Sequence, residues 1–180
     1  MKFLNLITRN LTERKTMYKP LQVRMLSVKG MNESMRAMRL PKGGEGDTIY
    51  NMLGESDAIL AGRLIKAGPD HAKAMRGIDA YLIMEMQVGF MIEFETYRHG
   101  VECLSTSSAM HGELKNLNGY ELAEQKQRDI GKKVYTRIVK ISYQALRSMY
   151  RARKNHRHPD WRIFCDFVGK LPWFDKLIMP

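Results

Sequence analysis

A nearly continuous apolar stretch runs from Ile78 to Phe94 and stops against Glu95-Thr96-Tyr97-Arg98-His99-Gly100. An element apolar on most sides has no face to give to water, so it belongs in the middle of a domain and the rest of the chain must wrap it. The stretch reads as a helix over about 72–97. Its exceptions, Glu85, Glu93 and Glu95, each need a cationic or hydrogen-bonding partner if buried. Beyond the corner, Cys103-Leu104-Ser105-Thr106-Ser107-Ser108-Ala109-Met110-His111 supplies a cluster of hydroxyls and a second histidine. Arginine, histidine and hydroxyls at the end of a buried element are groups that hold phosphate or a polarised heteroring. The same residues also fit a plain helix C-terminus, with a basic residue near the negative end of the dipole and a Ser/Thr-rich loop after it. Both readings stand at this point.

With 180 residues the chain is long enough for a real core and reads as a single domain, 1–180. Its hydrophobic share of 44% is that of a globular protein, which sets disorder aside. The net charge of +11 points to an anionic partner: a nucleotide, nucleic acid or an acidic surface. Cys103 and Cys165 lie far apart and fit neither a zinc spacing nor a disulfide framework, which suits a reduced cytoplasmic compartment. The apolar start, Met1 to Ile7, is too short for a signal peptide. Asp79, Glu85 and Gln87 interrupt the longest apolar run, so no membrane partner is expected.

Taken in order, 21–28 has near period-two apolar spacing and predicts a strand, and 31–40 a short helix with Asn32 or Ser34 near its start. Pro41 to Asp47 is a loop with three glycines; it lacks the Gly-Lys-Ser/Thr ending of a phosphate cradle. Asp47 to Lys66 reads as helix, Gly68-Pro69-Asp70 breaks it, and Asp70 is placed to cap the long helix through the apolar run. From Tyr120 to about Arg153 runs the longest helical pattern. Val134, Ile138, Ile141, Ala145 and Met149 form its apolar stripe, and Lys133, Arg137, Lys140, Gln144, Arg147 and Arg151 a basic one. A charged stripe is usually a solvated face, but this one lacks the acidic residues that normally interleave. Pro159 suits the first turn of a final helix after His158, with Trp161 and Phe164 at core spacing. The basic cluster from Arg151 to Arg157, with aromatics nearby, is also able to hold single-stranded nucleic acid.

Three chemistries compete. The five histidines form no His-x-x-x-His pair with a carboxylate ligand, and cations flank His156 and His158, so no metal site is expected. Cys103 or Ser105 with His99 or His111 has the residue types for nucleophilic catalysis but no strand-turn-helix elbow around it. Anion binding by arginines from two segments has the most support.

The order of apolar helix, Tyr97-Arg98-His99-Gly100, Ser-rich loop and late arginine helix resembles the flavin-dependent thymidylate synthases. It is most similar to divergent, phage-encoded relatives with an aromatic-Arg-x-Gly corner and a late Arg-Lys-Asn-His segment, here Arg153 to His156. The family signature is Arg-His-Arg, two spacers, Ser-x-Asn and a later Ser-x-Arg-Tyr. Arg98 fits its second arginine, Gly100 a glycine common just after it, and Ser108-Ala109-Met110-His111 falls where Ser-x-Arg-Tyr belongs. Arg147 and Arg153 match two late arginines six residues apart. The likeness covers 70–175, with 1–46 a strand and loop region before it. Thr96 and Tyr97 replace the first Arg-His, Met110 the arginine that grips the dUMP phosphate, and Val101 and Cys103 the first serine and the asparagine. These departures fall on ligand-holding positions, so the resemblance speaks to fold before chemistry.

The resemblance implies an α+β fold, mainly helical with a small antiparallel sheet, in a homo-oligomer, often a tetramer, with nucleotide sites between subunits. It implies methylene transfer from a folate to dUMP with FAD as the hydride source. Carried over, it makes Arg153 and Ser108 the catalytic candidates, and Arg98, His99, Glu95 and His71 the cofactor-binding ones. Ser107, Arg147, Arg151, Asn155 and His111 become the substrate-binding candidates. Arg98, Ser107, Ser108, Arg147 and Arg153 are expected to converge, within or across subunits, on one phosphate-bearing nucleotide. A phage-encoded enzyme of this kind would work in the host cytoplasm. A non-catalytic nucleotide binder and a nucleic-acid-binding protein remain alternatives. A strand through either 72–97 or 120–153 would overturn both the expected fold and the resemblance.

Overall fold

The computed structural model describes residues 18–50, 52–108 and 114–180, so His111 and the Met110 position lie outside the described residues. In chain order the elements are β1 (Gln22–Lys29), α1 (Met31–Arg39), α2 (Glu55–Ala67), β2 (Asp79–Gln87), α3 (Val88–Phe94), β3 (Val101–Thr106), α4 (Gly119–Asp129), β4 (Val134–Ser142), α5 (Tyr143–Arg153) and α6 (Pro159–Val168). Short 3-10 turns at Leu40–Lys42 and Lys73–Arg76 and a π turn at Phe174–Ile178 join them. Among the described residues no helix is long and apolar enough to cross a membrane.

The apolar run from Ile78 is a strand before it is a helix. Ala80, Leu82, Met84 and Met86 of β2 are buried, whereas Tyr81 and Ile83 are half-buried and Glu85 is exposed. This is a period of two, masked in the sequence because the outward positions are apolar as well. The helix expected over 72–97 is therefore wrong, and only α3 near its end is helical. The single helix expected over 120–153 is wrong too, being α4, β4 and α5 in succession. In β4, Val134, Tyr135, Thr136, Ile138, Val139 and Ile141 are β-branched or aromatic, six of its nine residues. Such side chains pack well on a pleat and lose rotamer freedom in a helix. Gly131, at φ 83°, breaks the chain between α4 and β4.

The four strands form one sheet in the order β1-β2-β4-β3, every neighbouring pair antiparallel. The β2–β4 register sets Asp79 against Ser142, Leu82 against Val139 and Gln87 against Val134. On the inner face, Ala80, Leu82, Met84, Met86, Val139 and Ile141 share one buried cluster with Phe90, Phe94, Leu146, Met149, Trp161 and Phe164. Val134 and Ile138, expected in one apolar stripe with Ile141, sit on the opposite face of β4 from it and are only half-buried. The basic stripe is divided in the same way, between the two faces of β4 and the surface of α5.

Elsewhere the sequence reads well. The first strand and helix are present, although the α1 N-cap is Gly30 at φ 82° rather than Asn32 or Ser34. The helix expected from Asp47 begins only at Glu55. The Asp47 carboxylate accepts the Ser56 and Asp57 amides ahead of it, and these bonds hold its pKa down at about 2. Asp70 caps nothing; the Lys73–Arg76 turn leads directly into β2. His158 is the N-cap of α6, its Nδ1 accepting the Asp160 amide, and Pro159 opens the helix. Trp161 and Phe164 are fully buried. The expected fold class, α+β with a small antiparallel sheet, stands although the two longest helices expected inside it do not. Cys103 is exposed and Cys165 buried, both as free thiols.

Asp160 ties the N-terminal segment to the core. It is 1% exposed, and its Oδ1 accepts the Tyr18 hydroxyl and, at 2.9 Å, the Leu21 amide. Burial, and then the bond to Asp160, raises the Tyr18 pKa above its ordinary value. Replacing Asp160 with alanine leaves a hydroxyl and a buried amide without their acceptor, a loss of about 2–4 kcal/mol. Urea unfolding of Asp160→Ala should show a lower midpoint with an unchanged slope. Tyr18→Phe should lose only about 1 kcal/mol.

Candidate anion-binding site

The site follows from the strand register. Because β2 and β4 run antiparallel, the start of β2 and the end of β4 share one edge of the sheet, and β3 starts beside them. Backbone bonds seal the junction: Tyr143 N–H donates to Ile78 O and Ser142 N–H to Gly100 O, both at 2.8 Å. Ser142 also caps α5, its hydroxyl accepting the Ala145 amide at 3.2 Å. Gly100 has φ 72°, and a Cβ there would collide with Ser142 Oγ and press on Ala145 Cβ at 3.3 Å. Only glycine lets the chain turn into β3 this close to α5.

A cleft of about 590 Å³ opens at this junction. Arg76 enters from the turn before β2; Thr96, Tyr97, Arg98 and His99 from the corner after α3; Gln144 and Ser148 from α5. Gln144 and Ser148 are four residues apart and so share one side of the helix. No aspartate or glutamate lines the cleft. Arg76 Nε donates to Gln144 Oε1 at 2.6 Å, which spends a single guanidinium N–H on a neutral acceptor. Arg98 and His99 are exposed. Two arginines and a histidine beside hydroxyls and an amide, with no carboxylate among them, form a surface for an anion.

Behind the cleft lies an aromatic support. Arg153 Nε donates to the Tyr97 hydroxyl at 2.8 Å, and its guanidinium stacks on Trp161 at 4.8 Å from the ring centroid. The Trp161 indole N–H donates to Glu93 at 2.7 Å. A half-buried, neutral-partnered arginine of this kind holds Tyr97 in place through a hydrogen bond and a cation–π contact.

The sequence candidates therefore separate. Arg98 and His99 line the cleft directly, while Arg153 reaches it through Tyr97. Glu95 is paired with Arg137 of β4, and Glu93 with Trp161, which supplies the partners these carboxylates needed. Arg147 lies six residues from Arg153, so helical rotation sets the two about 120° apart. Its Nη1 donates to Ile178 O at 2.6 Å, pinning the C-terminal turn; burial, then the charge of Arg151, lowers its pKa. Arg151 and Asn155 are exposed at the end of α5 and beyond. Ser107 N–H and Oγ bond the Thr136 backbone at the far end of β3. Ser108 is exposed beside it. Six strand residues at roughly 3.3 Å each put these serines roughly 20 Å from the corner. His71 lies in another depression, with Lys42, Lys73, Leu60 and Leu64. Within one chain, Arg98, Ser107, Ser108, Arg147 and Arg153 do not converge.

Sequence reasoning missed Arg76, Gln144 and Ser148. The available signal was Arg76-Gly77 immediately before a buried run, the counterpart of Arg98 near the start of β3. It carried weight only once β2 was read as a strand.

No protein-family model matches this sequence, and no curated protein matches it. Solved structures share its fold. Flavin dependent thymidylate synthase ThyX from Helicobacter pylori, complexed with FAD and dUMP, superposes with a TM-score of 0.64 at 13% identity over 87% of this chain and 97% of that one. A second Helicobacter pylori ThyX structure with FAD and dUMP gives 0.62 at 11% identity, covering 88% and 97%. A UMP/dUMP methylase, PolB from Streptomyces cacaoi, bound with 5-Br dUMP, gives 0.61 at 10% identity, covering 88% and 92%. The likeness coexists with strands in both segments read as helix, so the expectation that a strand there would exclude it was mistaken.

Gly100→Ala tests the junction. A left-handed alanine and its collision with Ser142 together destabilise by about 2–4 kcal/mol. The thermal midpoint should fall by roughly 5–15 °C in a melt followed by circular dichroism.

Proposed function

We propose that this protein binds a pyrimidine mononucleotide of the dUMP type in the Arg98 cleft, and that as an enzyme it transfers a one-carbon unit from a folate to that base with FAD. The observation that carries the reading is the acid-free cleft in which Arg76, Arg98 and His99 face Gln144 and Ser148. The shared fold supports it, since the similar structures hold dUMP or 5-Br dUMP.

The residues at the corner suit a flavin as well. Tyr97 is a half-buried aromatic wall beside Arg98 and His99, the types of group that take a flat heteroring and its phosphates. When bound, FAD supplies hydride transfer. Arg98 and His99 hold anionic oxygen, Tyr97 packs against a ring, and Arg153 keeps Tyr97 oriented through its hydroxyl. Gln144 and Ser148 offer amide and hydroxyl groups to a base or sugar.

Ser107, Ser108 and His71 join this site only if a second copy of the chain brings them there, which makes a homo-oligomer part of the proposal. Light scattering at micromolar concentration should give a multiple of 20.9 kDa. A monomer mass would remove those residues from the site.

Calorimetric titration with dUMP, dTMP and FAD tests the reading. Wild type should bind dUMP below millimolar, and Arg98→Ala should weaken it by about one to two orders of magnitude. Arg153→Ala, acting through Tyr97, should weaken it by only about threefold to tenfold. If dUMP binds and FAD does not, the protein is a nucleotide binder without the flavin chemistry. No nucleotide binding below millimolar overturns the proposal.

One observation favours a second reading. Arg151, Lys154, Arg157 and Arg162 are exposed around the end of α5 and the start of α6, and none is in a salt bridge among the described residues. A polyanion such as single-stranded nucleic acid fits that surface. Tight oligonucleotide binding that falls steeply with salt, without mononucleotide binding, would establish it in place of the first.

A further inference from the structure

We infer that Arg76 and Arg98 act together as a two-sided clamp for a phosphomonoester, and that Gln144 is the residue that positions Arg76 for it. The inference rests on the mononucleotide reading and assigns the phosphate to named groups.

The two arginines come from different parts of the fold. Arg76 ends the turn before β2, and Arg98 sits in the corner between α3 and β3. Neither belongs to a salt bridge among the described residues, although Arg39, Arg128, Arg137 and Lys140 each have a carboxylate partner. The cleft lining holds no carboxylate, so an anion that enters it meets two guanidinium groups with no competing acid among the lining residues.

Gln144 explains how Arg76 is held ready. Its Oε1 takes Arg76 Nε at 2.6 Å, so the bond is made along one edge of the guanidinium. The pair of terminal nitrogens stays available as a fork, which is the geometry that grips two phosphate oxygens at once. An amide does this without cancelling the charge; a carboxylate at the same position would form an ion pair and remove the cation from the ligand. Gln144 stands at the first turn of α5, anchored by the Ser142 cap, so its position is set by the sheet edge.

Calorimetry on the full-length protein with three probes, dUMP, deoxyuridine and inorganic phosphate, tests the clamp on wild type, Arg76→Ala, Arg76→Lys, Gln144→Ala and Gln144→Glu. Circular dichroism melts check that each variant is folded. In wild type, dUMP should bind at least about a hundredfold more tightly than deoxyuridine. Arg76→Ala should weaken dUMP about tenfold to a hundredfold and leave deoxyuridine within about twofold. Arg76→Lys should recover only part of that loss, because a point charge lacks the fork. Gln144→Ala should weaken dUMP by about threefold to tenfold, and Gln144→Glu by more than Gln144→Ala.

Inorganic phosphate, if its binding is measurable, should follow the same order. Wild-type binding of dUMP with no loss in folded Arg76→Ala overturns the clamp and leaves the mononucleotide reading intact. Deoxyuridine binding as tightly as dUMP overturns it as well. Gln144→Glu binding dUMP as well as wild type overturns the positioning role of Gln144. Absence of dUMP binding in wild type overturns the underlying reading itself.

Discussion

The antiparallel pairing of β2 with β4 is the constraint on which the rest of the structure depends. It sets Asp79 opposite Ser142, and with that one register the turn before β2, the start of β3 and the N-terminus of α5 meet at a single sheet edge. A slip of one residue would turn Ala80, Leu82, Met84 and Met86 away from the core and the half-polar set inward. Burial of that face therefore fixes the register, and the register fixes the cleft. Gly100 and Ser142 are where this constraint is most visible, because no side chain fits between them.

The cleft and its support divide the cationic groups by partner. Arg39, Arg137 and Lys140 are neutralised by Asp57, Glu95 and Glu102 and serve the structure. Arg153 is half-buried against a hydroxyl and an indole, which hold the guanidinium in one orientation without removing its charge. Arg147 is satisfied by a backbone carbonyl of the C-terminal turn. Arg76 and Arg98 are left facing the cleft with neutral neighbours. A net charge of +11 is therefore not spread evenly in its consequences: part is consumed in holding the fold, and part is directed at one opening.

The fold similarity to ThyX and to a dUMP methylase at 10–13% identity shows how little of this architecture depends on particular residues. What persists is the backbone path over 87–88% of this chain. Chemistry is set by the side chains placed on such a frame, here Thr96 and Tyr97 in the corner and Gln144 and Ser148 on α5. The fold sets where the cleft lies, and the particular residues set its charge and hydrogen-bonding character.

The sequence by itself determined β1, α1, the break at Gly68-Pro69, the start of α6 at Pro159 and the core placement of Trp161 and Phe164. Each of these is written in local chemistry: strand alternation, a turn pair, a proline at the first helical position, aromatic spacing. It also determined that Arg98, His99 and Gly100 form a corner at the end of a buried run. Only the tertiary structure decided that the run is β2 followed by α3, and that β4 interrupts the late helix. A segment apolar on both faces fits period two and period 3.6 alike, and pairing with a neighbouring strand decides between them. The partnership of Arg76 with Gln144, 68 residues apart, has no local signal at all, because it exists only where strand register brings two distant segments together. The same geometry separates Arg98 from Ser107 and Ser108, which are near neighbours in the chain but lie at opposite ends of one extended strand.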